Sequence, residues 1–245
     1  MLLSIFGNGV MANAMIAGLL KHGFEIEVFG RDEKKLQALK KSYPKIKTNI
    51  YENGVDISGK NIILCVKPYA LEAVAKRLKN RAAALFSVLA GTTLEKLKLN
   101  VEADNYVRAM PNIAAMFGKS MTTLTGDESA KETAVKIFGA IGKTLWVGSE
   151  KELDTATVLA GSAPAFLALV AESLIDGGVK EGLKRDDATF LARGLFEGFA
   201  ELLNNYQHPS LIKDAVMSPG GITAKGYAAL EDCKVRSAFM KVYKG

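Results

Sequence analysis

The chain has 245 residues, 49% hydrophobic and 24% charged, the balance of a soluble globular protein long enough for more than one domain. Two cysteines and two histidines, with no Cys/His cluster, exclude a disulfide framework and argue against a metal, so a reducing, cytoplasmic setting is expected. The formal charge of +6 comes largely from lysines spread over helix faces, such as Lys34, Lys35, Lys40 and Lys41, without interleaved aromatics; this speaks against nucleic acid and suits anionic small molecules.

Met1 leads straight into an apolar run, so no signal peptide is expected. Within Leu2–Ala12 that run is followed by Gly7, Gly9 and Ala12 in the spacing G-x-G-x-x-A, and residues 10–20 then read as a helix. Strand, tight turn and helix in this order are the opening of a dinucleotide-binding unit. Gly7 allows the sharp turn, Gly9 lets the backbone approach a pyrophosphate, and Ala12 keeps the helix close to the strand. The unpaired N–H groups of the helix start face the phosphates.

Glu25–Phe29 is the second strand, and Gly30, Arg31 and Asp32 follow it. An acidic residue at this strand end favours NAD, whereas an arginine accommodates the 2′-phosphate of NADP. Arg31 therefore favours NADPH, and Asp32 keeps NADH open, although Asp32 equally suits the start of the next helix. After a helix to about Ser42 and a short strand near Ile46–Ile50, the run Asn61–Val66 is apolar on both faces, as a central parallel strand is. It stops at Lys67 and Pro68, at the strand end where such sheets bind ligands. Further strands are expected at Ala84–Leu89, ending at Ala90 and Gly91, and at Asn105–Ala109. Ser120–Thr125 reads as a less buried strand, antiparallel at an edge. A helix over about 129–141 and a strand at Thr144–Val147 close residues 1–149 as an α/β doubly wound, mostly parallel sheet.

From 150 to 245 no strand is required. Ser149 and Glu152 read as a capping box opening a long helix that is apolar almost all round and that Pro164 bends or locally opens. Gly177 and Gly178 break it. A second helix begins at Asp186 and Asp187, a short one follows Pro209, and a last one runs through Tyr227, Leu230, Val235 and Phe239. The uncharged stretch Thr155–Ala171 is short for a membrane span and reads as a buried helix. Such helices are hard to bury alone, so an all-helical dimerisation domain and an obligate homodimer are expected; the alternative is a long helix covered by its own neighbours.

Ser218, Pro219, Gly220, Gly221, Ile222 and Thr223, preceded by His208–Asp214, resemble the C-terminal signature of the pyrroline-5-carboxylate reductase family. The resemblance continues through residues 7–12, Val66–Pro68, Arg108–Asn112, Gly161–Ala165 and Asp176–Leu183. It implies reduction of 1-pyrroline-5-carboxylate to L-proline, the last step of proline synthesis, in dimers with interlocked C-terminal helices, commonly assembled into decamers. By position it puts Gly7, Asn8, Gly9, Val10, Met11, Ala12, Arg31, Asn53, Val66, Lys67, Pro68, Ala90 and Gly91 on the cofactor. Ser218, Gly220, Gly221, Ile222 and Thr223 fall to the substrate, with Thr223 near the imine nitrogen as the catalytic contact. The chain departs from the family pattern at residues 160–166 and at Ala215.

The residue types fit this chemistry on their own terms. Bare backbone at Gly220 and Gly221 ahead of a helix suits a carboxylate, and Thr223 can hydrogen-bond a ring nitrogen. The same six residues also read as a turn into a helix with Thr223 as its N-cap. Hydride transfer to an already activated iminium needs positioning rather than an acid–base dyad, and none stands out. The rival readings are another NADP-dependent imine or hydroxyacid reductase and a non-catalytic NADPH-binding sensor.

Overall fold

The computed structural model describes residues 1–51, 53–206 and 208–244. The chain divides into two compact units, Met1–Ala163 and Pro164–Gly245. A new helix does begin at Glu150, beside the expected boundary, but its Leu153 is fully buried in the first unit, so compactness changes later.

The first unit is an α/β layered domain. Strand β1 (Leu2–Phe6) leads to helix α1 (Val10–Lys21), then β2 (Glu25–Gly30), α2 (Glu33–Ser42) and β3 (Lys47–Ile50). A two-residue strand β4 (Val55–Asp56) precedes β5 (Asn61–Leu64), a 3₁₀ turn at Pro68–Ala70, α3 (Leu71–Ala75) and β6 (Leu78–Lys79). Then come β7 (Ala84–Ser87), α4 (Leu94–Asn100), β8 (Tyr106–Met110), a 3₁₀ turn at Ile113–Phe117, β9 (Ser120–Gly126), α5 (Lys131–Gly139) and β10 (Gly142–Trp146). The main sheet has the order β10-β9-β8-β7-β5-β1-β2-β3, and every pair is parallel except β8 with β9. Alternate side chains of the central strands feed two cores. Ile63 and Phe86 join Met15, Ile16 and Phe138 on one face, while Ile62, Leu64 and Leu85 join Leu71, Val74 and Leu97 on the other. This is the burial on both faces that an apolar parallel strand requires.

Two differences from the sequence reading stand out. The strand β9 is antiparallel to β8 as expected, but it is neither an edge nor lightly buried: β10 lies outside it, and Ser120, Thr122, Thr123 and Thr125 are all buried. Its hydroxyls carry their own partners, Ser120 Oγ with Thr122 Oγ1 at 3.1 Å and Thr125 Oγ1 donating to the Val147 carbonyl at 3.0 Å. Polar composition therefore imitates an exposed strand. The second difference is the β4–β6 ribbon, tied by the Asp56 carboxylate, which accepts from the Ser58 hydroxyl at 2.6 Å and the Asn80 amide at 2.9 Å. Those bonds hold the Asp56 carboxyl down to about 2.

Helix α6 (Glu150–Thr157) is capped by Ser149 Oγ, which accepts from the Glu152 N–H at 3.2 Å. The return contact differs from a strict capping box, because Glu152 accepts from the Gly148 N–H at 3.1 Å. A single π-helical turn, Val158–Ser162, follows, and α7 runs over Ala163–Lys180. Pro164 explains the turn. It has no N–H for the Ala160 carbonyl four residues back, and that carbonyl accepts instead from Asn112 Nδ2 at 2.9 Å.

The second unit takes α7 from Pro164 onward, α8 (Arg185–Asn205), α9 (Pro209–Val216), α10 (Ile222–Asp232) and α11 (Val235–Lys241). Its described residues contain no strand. Gly177 and Gly178 do not end α7, which continues to Lys180; Leu183 folds back there, and a Cβ on Gly178 would stand 3.1 Å from its side chain. The expected single last helix is two, split at Lys234 with φ of 59°. Among the described residues here, Ala188, Ala192 and Ile212 are the buried apolar ones, while Phe190, Leu195, Phe199 and Leu203 stay exposed. The alternative reading, a long helix covered by its own neighbours, is therefore corrected; exposure within one chain is what burial against a second copy requires. The run Glu150–Lys180 is long and apolar enough by length and composition to cross a membrane, and none of its apolar window is buried within the chain.

Candidate functional site

Side chains and backbone at the carboxyl ends of β1, β2, β5 and β7 enclose a groove of about 860 Å³. It is built first by glycine. Gly7 has φ of +124°, and a Cβ there would stand 2.3 Å from the Cys65 carbonyl oxygen, so only glycine lets β1 turn this close to β5. Gly9 is the N-cap of α1 and supplies no side-chain cap. A Cβ on it would meet nothing of the chain within 4 Å, so its backbone opens on the groove and the first N–H groups of α1 stay free for an anion. At the end of β2, a Cβ on Gly30 would lie 2.8 Å from Asn8 Nδ2; that amide is buried without a partner among the described residues.

The structure brings most of the expected cofactor residues together. Gly7, Asn8, Gly9, Val10, Met11, Arg31, Val66, Lys67, Pro68 and Ala90 all line the groove. Ala12 lies behind it, fully buried in the core that α1 covers, which is the spacer role its small size suits. Asn53, in an exposed turn, and Gly91, exposed with φ of +65°, stand outside the lining. Lining residues the sequence reading did not assign include Lys35, Tyr51, Tyr69, Arg77 and Ile113. Lys35 had a signal in its nearness to Arg31. The others are carried there by the fold.

Charge in the groove is one-sided. Among the described lining residues, Arg31, Lys35, Lys67 and Arg77 stand with one carboxylate, Asp32, and that one caps α2, its Oδ1 accepting from the Lys35 N–H at 3.1 Å. Asp32 therefore plays the helix-start role. Two acidic hydrogens at the wall stay in place at neutral pH: burial pushes the Cys65 thiol up to about 12, and burial also carries the Tyr51 phenol to about 12 against the pull of the Arg31 and Arg77 guanidinia. Tyr51 Oη is buried without a partner among the described residues. A bare glycine backbone at a helix start, orphaned polar atoms and surplus cations fit a dinucleotide carrying several phosphates. Among the described residues no group of three or more His, Cys, Asp or Glu stands together as a metal site.

The other expected set lies in the second unit. Gly221, not Thr223, is the N-cap of α10; Gly220 precedes it with φ of +67° and the Gly221 N–H closes a turn on the Ser218 carbonyl at 3.1 Å. A Cβ on Gly221 would stand 2.5 Å from Ser218 Oγ, so the hydroxyl lies against the cap. Ile222 is 91% exposed and Thr223 is the second residue of the helix. Free N–H groups, a serine hydroxyl and a threonine hydroxyl thus gather at one helix tip, a constellation suited to a small carboxylate.

A family described as pyrroline-5-carboxylate reductase dimerisation matches residues 150–245, and one described as NADP oxidoreductase coenzyme F420-dependent matches residues 3–91. Among curated relatives, a pyrroline-5-carboxylate reductase of Helicobacter pylori is 34% identical over 98% of this chain and 95% of its own length. One from Synechocystis is 36% identical over 99% of this chain and 94% of its own. Among solved structures, the 1-pyrroline-5-carboxylate reductase of Streptococcus pyogenes is similar with a TM-score of 0.88 at 29% identity, covering 100% of this chain and 95% of that one. The pyrroline carboxylate reductase of Plasmodium falciparum, solved with NADP bound, gives 0.81 at 26% identity, covering 100% and 96%.

Proposed function

Because the chain belongs to the pyrroline-5-carboxylate reductase family, we infer that it reduces 1-pyrroline-5-carboxylate to L-proline in proline biosynthesis, with a nicotinamide dinucleotide as reductant. The observation that carries the reading is likeness running through both halves of the chain, 98% of its length, rather than through the nucleotide half alone. NADPH is the preferred form, on the strength of Arg31 in the groove and of Asp32 being engaged as a helix cap. The working protein is a cytoplasmic homodimer, with dimers assembled into decamers; sedimentation of the purified chain reads the copy number, and a monomer at micromolar concentration contradicts this.

Residues Gly7–Met11, Val66–Pro68 and Ala90 hold the dinucleotide, which when bound supplies a hydride from nicotinamide C4. The chain's own work is to hold and orient the imine. The tip of α10 offers N–H groups and a positive dipole end to the substrate carboxylate, with Ser218, Gly220, Gly221 and Ile222 shaping the seat. Thr223 Oγ1 hydrogen-bonds the ring nitrogen and turns the C5 face toward the donor. The cyclic imine is basic enough to enter as an iminium, so no residue must deliver a proton in the hydride step. Catalysis is positioning with water excluded.

The direct test is loss of reduced-nicotinamide absorbance with 1-pyrroline-5-carboxylate beside a panel of 2-keto acids. Turnover with the imine alone is expected. Turnover only with a keto acid supports the hydroxyacid reductase reading, and none with any substrate supports a sensor. Thr223→Ala is expected to lower kcat/KM roughly 10–100-fold, since one aligned hydrogen bond is worth about 1.5–3 kcal/mol. Unchanged steady-state kinetics in that variant would remove Thr223 from the mechanism.

A further inference from the structure

Resting on the reading of the groove as a nicotinamide-dinucleotide site, we propose that Arg77 is a second specificity-determining cation. With Arg31 and Lys35 it grips the phosphomonoester on the adenosine ribose beside the face of Tyr51, and so ranks NADP above NAD.

Arg77 reaches the groove from a part of the chain remote from Arg31. It follows α3, and its carbonyl accepts from the Gly54 N–H at 2.9 Å and the Val55 N–H at 2.8 Å, at the start of the β4–β6 ribbon. Its own N–H donates to the Val74 carbonyl at 2.9 Å. Backbone on both sides thus sets where the guanidinium departs. The side chain then crosses to Tyr51, with Nη1 donating to the Tyr51 carbonyl at 3.3 Å and the guanidinium carbon 5.9 Å from the ring centroid.

Tyr51 is a rigid platform for such a group. Its ring stacks on Phe6 with centroids 6.1 Å apart, and Phe6 stacks on Phe29 at 4.7 Å, so the aromatic column is anchored in β1 and β2. The buried hydroxyl has no acceptor among the described residues, a deficit that a ligand oxygen would relieve. The phenol remains a donor throughout the neutral range, since burial outweighs the two guanidinia that lower its pKa.

Chemistry then selects the ligand group. A ribose bearing two hydroxyls needs an acceptor, and among the described lining residues the carboxylate that could serve, Asp32, already caps α2 and lies 3.9 Å from Lys35 Nζ. A phosphomonoester carries about −1.5 to −2 charges at neutral pH and matches planar guanidinium donors. Three cations lining the same groove, two of them acting on the Tyr51 phenol, fit that group and leave a bare hydroxyl poorly balanced.

The test is calorimetric binding of adenosine 2′,5′-bisphosphate and of 5′-AMP to the full chain and its variants. The wild type is expected to bind the bisphosphate at least about tenfold more tightly. Arg77→Gln is expected to lower bisphosphate affinity about tenfold while 5′-AMP affinity stays within about twofold, and Arg77→Lys to restore part of the loss. Arg31→Gln with Arg77→Gln should abolish the preference. An Arg77→Gln protein that loses both ligands equally, or neither, overturns the assignment, because a purely structural arginine would not separate them. A wild type that binds both fragments alike removes the NADP reading on which the proposal rests, and the proposal with it, while leaving imine reduction to be judged by its own assay.

Discussion

Gly7→Ala is expected to destabilise the protein by about 3 kcal/mol or more and to abolish dinucleotide binding, whereas Gly9→Ala should fold normally and lose binding alone. The two glycines differ in what surrounds them. At Gly7 a Cβ would stand 2.3 Å from the Cys65 oxygen and 2.7 Å from its carbon, both backbone atoms of the neighbouring strand, and φ of +124° is a conformation L-residues rarely adopt. Relief requires β1 and β5 to part at the centre of the main sheet. At Gly9 the added methyl meets no atom of the chain within 4 Å, so its only obstacle is whatever occupies the groove. Thermal melting paired with a reduced-cofactor titration separates the cases. A Gly9→Ala protein that binds as tightly as wild type would show that no ligand backbone approaches there.

Arg108→Leu is expected to cost about 2–4 kcal/mol, lowering the melting midpoint by roughly 5–15 °C for a chain of this size. Arg108 is 1% exposed on β8, and its guanidinium reaches out of the sheet to the first two turns of α6. Nη1 donates to Glu150 Oε1 and Nη2 to Asp154 Oδ1, both at 2.8 Å. Glu150 Oε1 also accepts from the Leu94 N–H at 2.9 Å, which draws the start of α4 into the same knot. The carboxylates are partly solvated, with side chains 32% and 59% exposed, so they regain water when the arginine is lost and the cost stays below that of a wholly buried pair. A double-mutant cycle with Glu150→Gln should give a coupling of about 1 kcal/mol or more. A variant within about 0.5 kcal/mol of wild type would show that α6 is held by Leu153 packing alone.

The legible parts of this protein are those where a residue's reason is local. The β1–turn–α1 opening, the cap at Asp32, the serine cap of α6 and the opening of the long helix near Pro164 each follow from a few neighbouring residues and stand in the structure. What stayed hidden depends on distant partners. Tyr51 and Arg77 meet at the groove although neither carries a motif, and the ribbon that aims Arg77 pairs two residues with two, too short for any periodicity. Ser120–Gly126 misled because hydroxyls that bond to one another and to backbone can be buried, a fact composition does not carry. Lys234 breaks the final helix in a left-handed conformation without the glycine or asparagine that usually announces it.

The bare leucines and phenylalanines of α8 have a thermodynamic consequence for the α10 tip. The exposed faces and the match to a dimerisation family together support a second copy as their cover, and helices with so little interior of their own would then hold their shape by mass action. Folding and assembly of this half are then one equilibrium, and dilution acts on it as heat does. Activity is therefore expected to fade on dilution as the α10 tip loses its shape, and to recover when the chain is concentrated again.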